Sequence, residues 1–271
     1  MNHVFQDFTL HTIDGHISTI YLAVYSDKIL ILDCGCRCDI TRVETYIEKR
    51  LKKDLSTVKL VVASHAHPDH GGGSPFFSKK HSIPLAAPRH INEWYSGILG
   101  FIQHNIDITL GYHVARTTGK PLSNIFYKRK ITIDHPLDHG SVLPGFEDWV
   151  VYDAPGHTHH DMVFYNKKEK LLYAADVILC VNGKYLLPFP VPMEQKMNTS
   201  LDLISSMEVE KLILAHGGVK YVKGLKAITD ELKIQLTKAL PPILEKLRLL
   251  ASFSPEIRKE MKKQINRKKA A

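Results

Sequence analysis

The chain has 271 residues, 44% of them hydrophobic and 24% charged, with a formal net charge of +8, values that are ordinary for a soluble globular protein. No segment approaches the roughly 20 consecutive apolar residues that a membrane-spanning helix needs, and the first ten residues lack the basic start and apolar run of a secretory signal. The four cysteines are too few and too clustered for a disulfide framework. We therefore expect a cytoplasmic protein with reduced thiols and no membrane partner.

The first part of the chain predicts strands and one helix. Residues 18–25 and 28–35 are rich in β-branched and aromatic residues and are separated by little more than Ser26-Asp27, a pattern typical of a hairpin. Residues 39–53 have apolar residues at helical spacing, and residues 57–64 form an apolar run that predicts a buried strand. Strand, helix and strand in this order predict a layered α/β core.

The stretch VVASHAHPDHGGG, residues 61–73, then places three histidines and an aspartate within six residues. His65 and His67 are two apart in extended backbone, so both imidazoles face the same way and can reach one cation. Asp69 and His70 follow a proline, where the chain turns, and can reach a second cation. Imidazole with carboxylate is the ligand mix that zinc prefers and that iron and manganese also accept. The three glycines after His70 predict a flexible turn.

The second part of the chain again predicts strands that end in polar loops. It follows a poorly periodic segment, residues 89–130, which we interpret as an insertion covering those loops. Residues 148–156 and 210–218 predict strands, residues 161–176 a hairpin, and residues 200–207 a helix. Three polar side chains follow these strands, namely His157, Asp176 and His216. Loops that share one edge of the sheets would bring them to the histidines near residue 65.

The end of the chain predicts helices. Apolar residues recur at helical spacing from Leu225 to Ala239, and Pro241-Pro242 ends that helix and begins another. The last eighteen residues contain seven basic and two acidic residues, which predicts a solvated helix and leaves a nucleic-acid partner open. We therefore divide the chain into a catalytic domain, residues 1–223, and a C-terminal helical extension with a basic tail, residues 224–271.

Over roughly residues 17–218, the H-x-H-x-D-H motif, the G-H-T loop, the strand-end aspartate and the late histidine resemble the metallo-β-lactamase superfamily. The resemblance implies an α+β fold, a four-layered αββα sandwich with the metals at the sheet edge, here followed by the helical extension. It also implies two divalent metal ions per chain. The first would be held by His65, His67 and His157, the second by Asp69, His70 and His216, and Asp176 would bridge them.

Two such ions, zinc by preference or else iron or manganese, can lower the pKa of a shared water from about 15.7 toward 7. The expected nucleophile is a metal-bridging hydroxide, with Asp69 as the catalytic residue that orients it. Asp33, at the end of its strand, is expected to contact a ligand without binding the metal itself. His160, after the G-H-T loop, is expected either to hydrogen-bond a ligand or the substrate, or to be a plain surface histidine.

The resemblance favours hydrolysis of a small-molecule ester, thioester or lactone, as in the glyoxalase II-like and lactonase-like branch. The G-H-T loop departs from the glyoxalase pattern, and the tyrosine that lactonases place shortly after the bridging aspartate is missing until Tyr185. Two alternatives stay open: a hydrolase of RNA or another phosphodiester, and an oxygenase resembling the persulfide dioxygenases, which hold one iron through two histidines and an aspartate. An oligomer is compatible with the sequence.

Overall fold

The structure is a computed structural model that describes residues 2–239, 241, 244, 253–260 and 262. The strands are β1 (Asn2–Val4), β2 (Phe8–Asp14), β3 (Thr19–Tyr25), β4 (Ile29–Leu32), β5 (Val58–Val62), β6 (Leu85–Pro88), β7 (His135–Leu137), β8 (Val142–Leu143), β9 (Phe146–Asp153), β10 (Met162–Asn166), β11 (Leu171–Tyr173), β12 (Leu179–Val181), β13 (Lys184–Leu186), β14 (Lys211–Leu214) and β15 (Gly218–Tyr221). The α-helices are α1 (Ile40–Thr45), α2 (Ser74–His81), α3 (Gly97–Thr117), α4 (Glu194–Ser205) and α5 (Lys226–Thr237).

The strands form two large sheets and a small ribbon. The first sheet has seven strands in the order β1 to β7, and the second has six in the order β15-β14-β11-β10-β9-β8, while β12 pairs with β13. The first sheet is antiparallel from β1 to β4 and parallel from β4 to β7. Ala86 of β6 pairs with His135 of β7 in parallel, so the long segment between these strands crosses from the end of β6 back to the start of the adjacent strand.

Three hydrophobic cores separate four layers of structure. Alternate residues of β4 point to different cores: Ile29 and Ile31 pack toward the outer helices, whereas Leu30 and Leu32 pack between the two sheets. A strand that is buried on both faces reads as a continuous apolar run, which is the pattern of ILIL in the sequence. The third core lies between the second sheet and helices α4 and α5. The α+β class and the αββα layering are thereby confirmed.

The insertion differs most from its prediction. The poorly periodic segment contains α3, a helix of 21 residues. Its apolar residues do not form one stripe: Ile108 and Ala115 are buried, while Ile98 and Phe101 are 81% and 53% exposed. A helix whose apolar residues face several directions has no clear 3.6-residue period, which is why the pattern did not predict it.

The start of the C-terminal extension follows its prediction. Helix α5 packs on α4, and Leu232 and the preceding Leu225 join Leu201 and Ile204 in the third core. Apart from Leu244, the helix predicted after Pro242 falls outside the described residues, as does most of the basic tail, and the boundary at residue 223 stays a prediction. No helix in the described part of the chain has the length and apolar character of a membrane span.

Candidate metal centre

The loop after β5 carries four of the predicted site residues and is closely packed. It is followed by Gly71, Gly72 and Gly73, all of which are buried. A Cβ atom on Gly72 would lie 2.0 Å from the carbonyl oxygen of Pro68, far inside van der Waals contact. The predicted turn is present at these glycines, and they permit a close approach of backbone to backbone within it.

The first group of side chains consists of three imidazoles. The Nδ1 atom of His67 lies 3.1 Å from Nε2 of His65 and 2.9 Å from Nε2 of His157. The Nδ1 atom of His157 is 2.8 Å from the carbonyl oxygen of Pro190, to which it donates a hydrogen bond when Nε2 is unprotonated. That bond fixes the tautomer whose Nε2 lone pair faces the other two rings.

The second group combines one carboxylate with two imidazoles. The Oδ2 atom of Asp69 lies 3.1 Å from Nε2 of His216 and 3.5 Å from Nε2 of His70. His216 follows β14, so the group joins a loop of the second sheet to the loop after β5 of the first sheet.

Asp176 lies between the two groups, with one oxygen facing each. Its Oδ2 is 3.9 Å from Nε2 of His65 and 3.8 Å from Nε2 of His157. Its Oδ1 is 3.1 Å from Nε2 of His70 and 3.4 Å from Nε2 of His216. The preceding residue, Ala175, has φ of 45°, an uncommon value for a residue other than glycine that is concentrated at functional sites.

The donor atoms fit two cations. Within each of the two sets, His65, His67, His157 and Asp176, and Asp69, His70 and His216, the ligand-type atoms lie within 4.8 Å of one another. Nε2 of His70 and Oδ1 of Asp176 are fully buried and, among the described residues, make no hydrogen bond. Buried polar atoms without partners are rare, and a cation between them would satisfy both.

The two groups differ in their electrostatics. Burial lowers the pKa of His65 well below its ordinary value and that of His67 to about 4, so both rings are neutral with free lone pairs. Burial also disfavours charge on His70, but the nearby carboxylates, Asp176 above all, outweigh it and raise the pKa of His70. The first group thus offers neutral nitrogen ligands, whereas the second gathers negative charge that attracts a cation.

Asp33 lies beneath the second group and contacts His70. Its Oδ2 is 2.8 Å from Nδ1 of His70 and accepts a hydrogen bond of 2.7 Å from the hydroxyl of Tyr173. Ser64 donates to the same carboxylate from its backbone N–H and from its hydroxyl, each at 2.6 Å. The buried carboxylate orients His70 so that Nε2 faces Asp69 and Asp176.

His160 and Asp161 hold the loops that carry the first group. Nε2 of His160 accepts a hydrogen bond of 3.1 Å from the backbone N–H of Ala66, between His65 and His67. Asp161 accepts hydrogen bonds from the backbone N–H groups of His157 and Thr158 at 3.0 and 2.6 Å. Asp161 was not singled out in the sequence, although a carboxylate four residues after His157 is well placed to close its loop in this way.

Five of the seven predicted ligands, His67, Asp69, His157, Asp176 and His216, line a cavity of about 360 Å³. Its other walls are largely apolar and come from several segments: Ile17, Leu110, Val114, Leu179, Val181 and Phe189. Among the described residues that line the cavity, none is a lysine or an arginine. The insertion contributes Asp107 from α3, a carboxylate for which the sequence pattern gave no signal.

Comparison with known proteins identifies the family. Residues 13–216 match the profile of the Metallo-beta-lactamase superfamily, which is more than half of the chain. The chain belongs to this superfamily. The metallo-beta-lactamase fold implies a metal-dependent hydrolase that binds divalent metal, and the converging histidines and aspartates are suited to that role.

Solved structures support the metallo-beta-lactamase fold. An archaeal superfamily protein from Sulfolobus tokodaii has a TM-score of 0.60 and 17% identity, covering 92% of this chain and 96% of that one. The metallo-beta-lactamase FIM-1 from Pseudomonas aeruginosa, in a mono-zinc form, has a TM-score of 0.59 and 18% identity, covering 91% of this chain and 95% of that one. At these identities the likeness concerns the fold alone.

Curated relatives match shorter segments. Ribonuclease J 1 of Streptococcus pyogenes is 28% identical over 129 residues, which are 42% of this chain and 21% of that protein. Ribonuclease J of Mycoplasma genitalium is 36% identical over 76 residues, which are 26% of this chain and 13% of that protein. The chain thus aligns with about a fifth or less of the length of these relatives.

Proposed function

We propose that this metallo-beta-lactamase superfamily protein hydrolyses an uncharged ester, thioester or lactone with two divalent metal ions, zinc by preference. His65, His67 and His157 would hold one ion, Asp69, His70 and His216 the other, and the two oxygens of Asp176 would serve both. Divalent ions at such a site supply a water that is nucleophilic at neutral pH and polarise the substrate carbonyl.

Side chains of the protein would orient the attacking oxygen and hold the metal-binding rings in place. Asp69 lines the cavity, and its carboxylate would orient the attacking oxygen toward the substrate while remaining a ligand. Asp33 and the carbonyl of Pro190 keep the rings of His70 and His157 in fixed orientations, so little reorganisation is needed when the substrate binds. No serine or cysteine nucleophile is then required.

The single observation that favours this substrate class is the wall of the cavity. A phosphodiester backbone is bound largely by lysine and arginine, and neither lines the described cavity. The apolar side chains instead suit an acyl chain or a small ring, since such surfaces gain free energy by excluding water.

The proposal is tested by metal analysis of the purified protein together with hydrolysis assays on matched ester, thioester, lactone and phosphodiester substrates. We expect about two metal ions per chain and turnover of one or more carboxylic substrates, lost with a chelator and restored by added zinc. A single redox-active iron with thiol-dependent oxygen uptake would instead identify an oxygenase.

A second candidate is an RNA hydrolase, which is favoured by the matches to Ribonuclease J and by the net charge of +8. Its substrate would lie across the cavity mouth rather than inside, with basic residues outside the cavity holding the phosphates. Cleavage of a labelled single-stranded RNA that weakens steeply with added salt, without turnover of the carboxylic substrates, would establish this alternative.

A further inference from the structure

The insertion brings one carboxylate against a predicted metal ligand. Oδ2 of Asp107, in α3, lies 3.6 Å from Nε2 of His67, which places it in electrostatic contact with the ring but beyond hydrogen-bond length. Asp107 is 9% exposed and lines the same cavity as His67. The contact therefore joins the helix of the insertion directly to the first group of imidazoles.

The orientation of His67 gives this contact a consequence. Nδ1 of His67 faces His65 and His157, so Nε2 is the nitrogen that carries the proton when Nδ1 binds a cation. A carboxylate beside that N–H stabilises the ring in its metal-binding tautomer and increases the negative charge on Nδ1. Asp107 thus lies beside the ring nitrogen of His67 that faces away from the metal site, as Asp33 lies beside the corresponding nitrogen of His70.

Asp107 is itself held in place by buried partners. It accepts hydrogen bonds of 2.8 Å from the hydroxyl of Tyr95 and from Nε2 of Gln103. Oε1 of Gln103 accepts a 3.2 Å hydrogen bond from the backbone N–H of Ser254, in the C-terminal segment. Tyr95, Gln103 and Ser254 are all 2% exposed or less, so solvent does not compete for these bonds. The carboxylate is thus fixed by the insertion and by the C-terminal extension together.

We propose that Asp107 is a positioning residue for His67, through which the insertion sets the affinity of the first metal position. This inference rests on the proposed metal site. In this proposal, Tyr95 and Gln103, which lie outside the metal-binding motif, also help to assemble the metal site. Their hydrogen bonds fix the position of the Asp107 carboxylate.

The test is the binding of zinc ions alone to Asp107→Asn, measured by competition with a chromophoric chelator. Asparagine keeps the shape of the side chain but removes its charge. Loss of a partner of a metal-binding histidine typically weakens metal binding by about 10–100-fold, and we expect a loss of this size in one of the two binding steps only. We also expect an altered visible spectrum when cobalt replaces zinc, because the ring of His67 is no longer fixed.

Two further variants make the result decisive. Tyr95→Phe keeps the ring but removes one hydrogen bond to Asp107, and it should weaken the same binding step by a smaller factor. Thr109→Ala, on the exposed face of the same helix, is the matched control and should bind zinc as the wild type does.

Wild-type zinc affinity and cobalt spectrum in Asp107→Asn would overturn the inference while leaving the proposed function intact. If Asp107→Asn does not fold, Tyr95→Phe decides: unchanged affinity overturns the inference, and weakening of one step supports it. Absence of metal binding in the wild type would instead overturn the proposed function.

Discussion

The loops at the sheet edge and the insertion above them contribute to the cavity in different ways. The seven predicted ligands all lie on loops that follow strands, and buried hydrogen bonds, such as those of Asp33 and Asp161, fix their orientation. The insertion contributes mainly α3, which presents Leu110 and Val114 to the cavity and one carboxylate to His67, and it adds Trp94 from the segment before this helix. On the proposed function, we expect the sheet edge to set the chemistry and the insertion to contribute both to substrate selection and, through Asp107, to the metal site.

The largest effect is expected from Asp176→Ala, which removes the carboxylate that faces both groups. Both metal ions should be lost, with a fall in affinity greater than the roughly 100-fold that loss of an outer partner costs, and turnover should cease. Metal content by atomic emission and turnover of the best substrate are the measurements. Asp138→Ala, at an exposed carboxylate, is the control, and a fully metallated, active Asp176→Ala protein would disprove the bridging role.

Asp33→Asn should have the next largest effect. Asp33 has φ of 50°, a conformation that asparagine tolerates, so the substitution removes the charge beneath His70 with little change to the backbone. We expect about 10–100-fold weaker binding of one metal ion, as for other partners of metal-binding histidines. Because Asp33 contacts His70 and Asp107 contacts His67, the two asparagine variants should weaken different binding steps; an identical pattern in both would refute the separate roles.

Leu110→Ala tests the role of the insertion. Shortening this side chain removes apolar contacts from the cavity wall, and kcat/KM for a substrate with a matching acyl chain should fall by about 10-fold. Metal content should stay at the wild-type level, which separates this effect from those at the sheet edge. Ile98→Ala, at an 81% exposed position of the same helix, should leave kcat/KM unchanged.

His160→Ala should have the smallest effect on the metal site. The variant leaves the buried N–H of Ala66 without its acceptor, which should lower the free energy of unfolding by about 1–3 kcal/mol in urea titrations. Metal content should stay near normal, because His160 supports the loop rather than the ions. Loss of a metal ion from this variant would show that the ligand assignment is incomplete.

The sheet edge was largely predictable from the sequence because its signals are local. The apolar run before His65, the spacing of His65 and His67 and the strand-end position of Asp176 indicated strands that deliver polar side chains to one edge. The insertion gave no comparable signal. Its helix divides its apolar residues among several surfaces, and Asp107 meets His67 only through the tertiary fold, forty residues away along the chain.

The close pairing of β6 and β7 has a consequence for how this protein can change. β6 and β7 are adjacent parallel strands, so the segment between them leaves the end of one and returns to the start of its neighbour. A segment of another length would change the entropy of closing this connection only slightly. On the proposed function, exchange of the whole segment would alter substrate selectivity while the loops that carry the predicted ligands stay unchanged. A replacement segment would have to supply a new partner for His67 and a new donor to the carbonyl oxygen of Ala66, which now accepts a hydrogen bond from the hydroxyl of Tyr127.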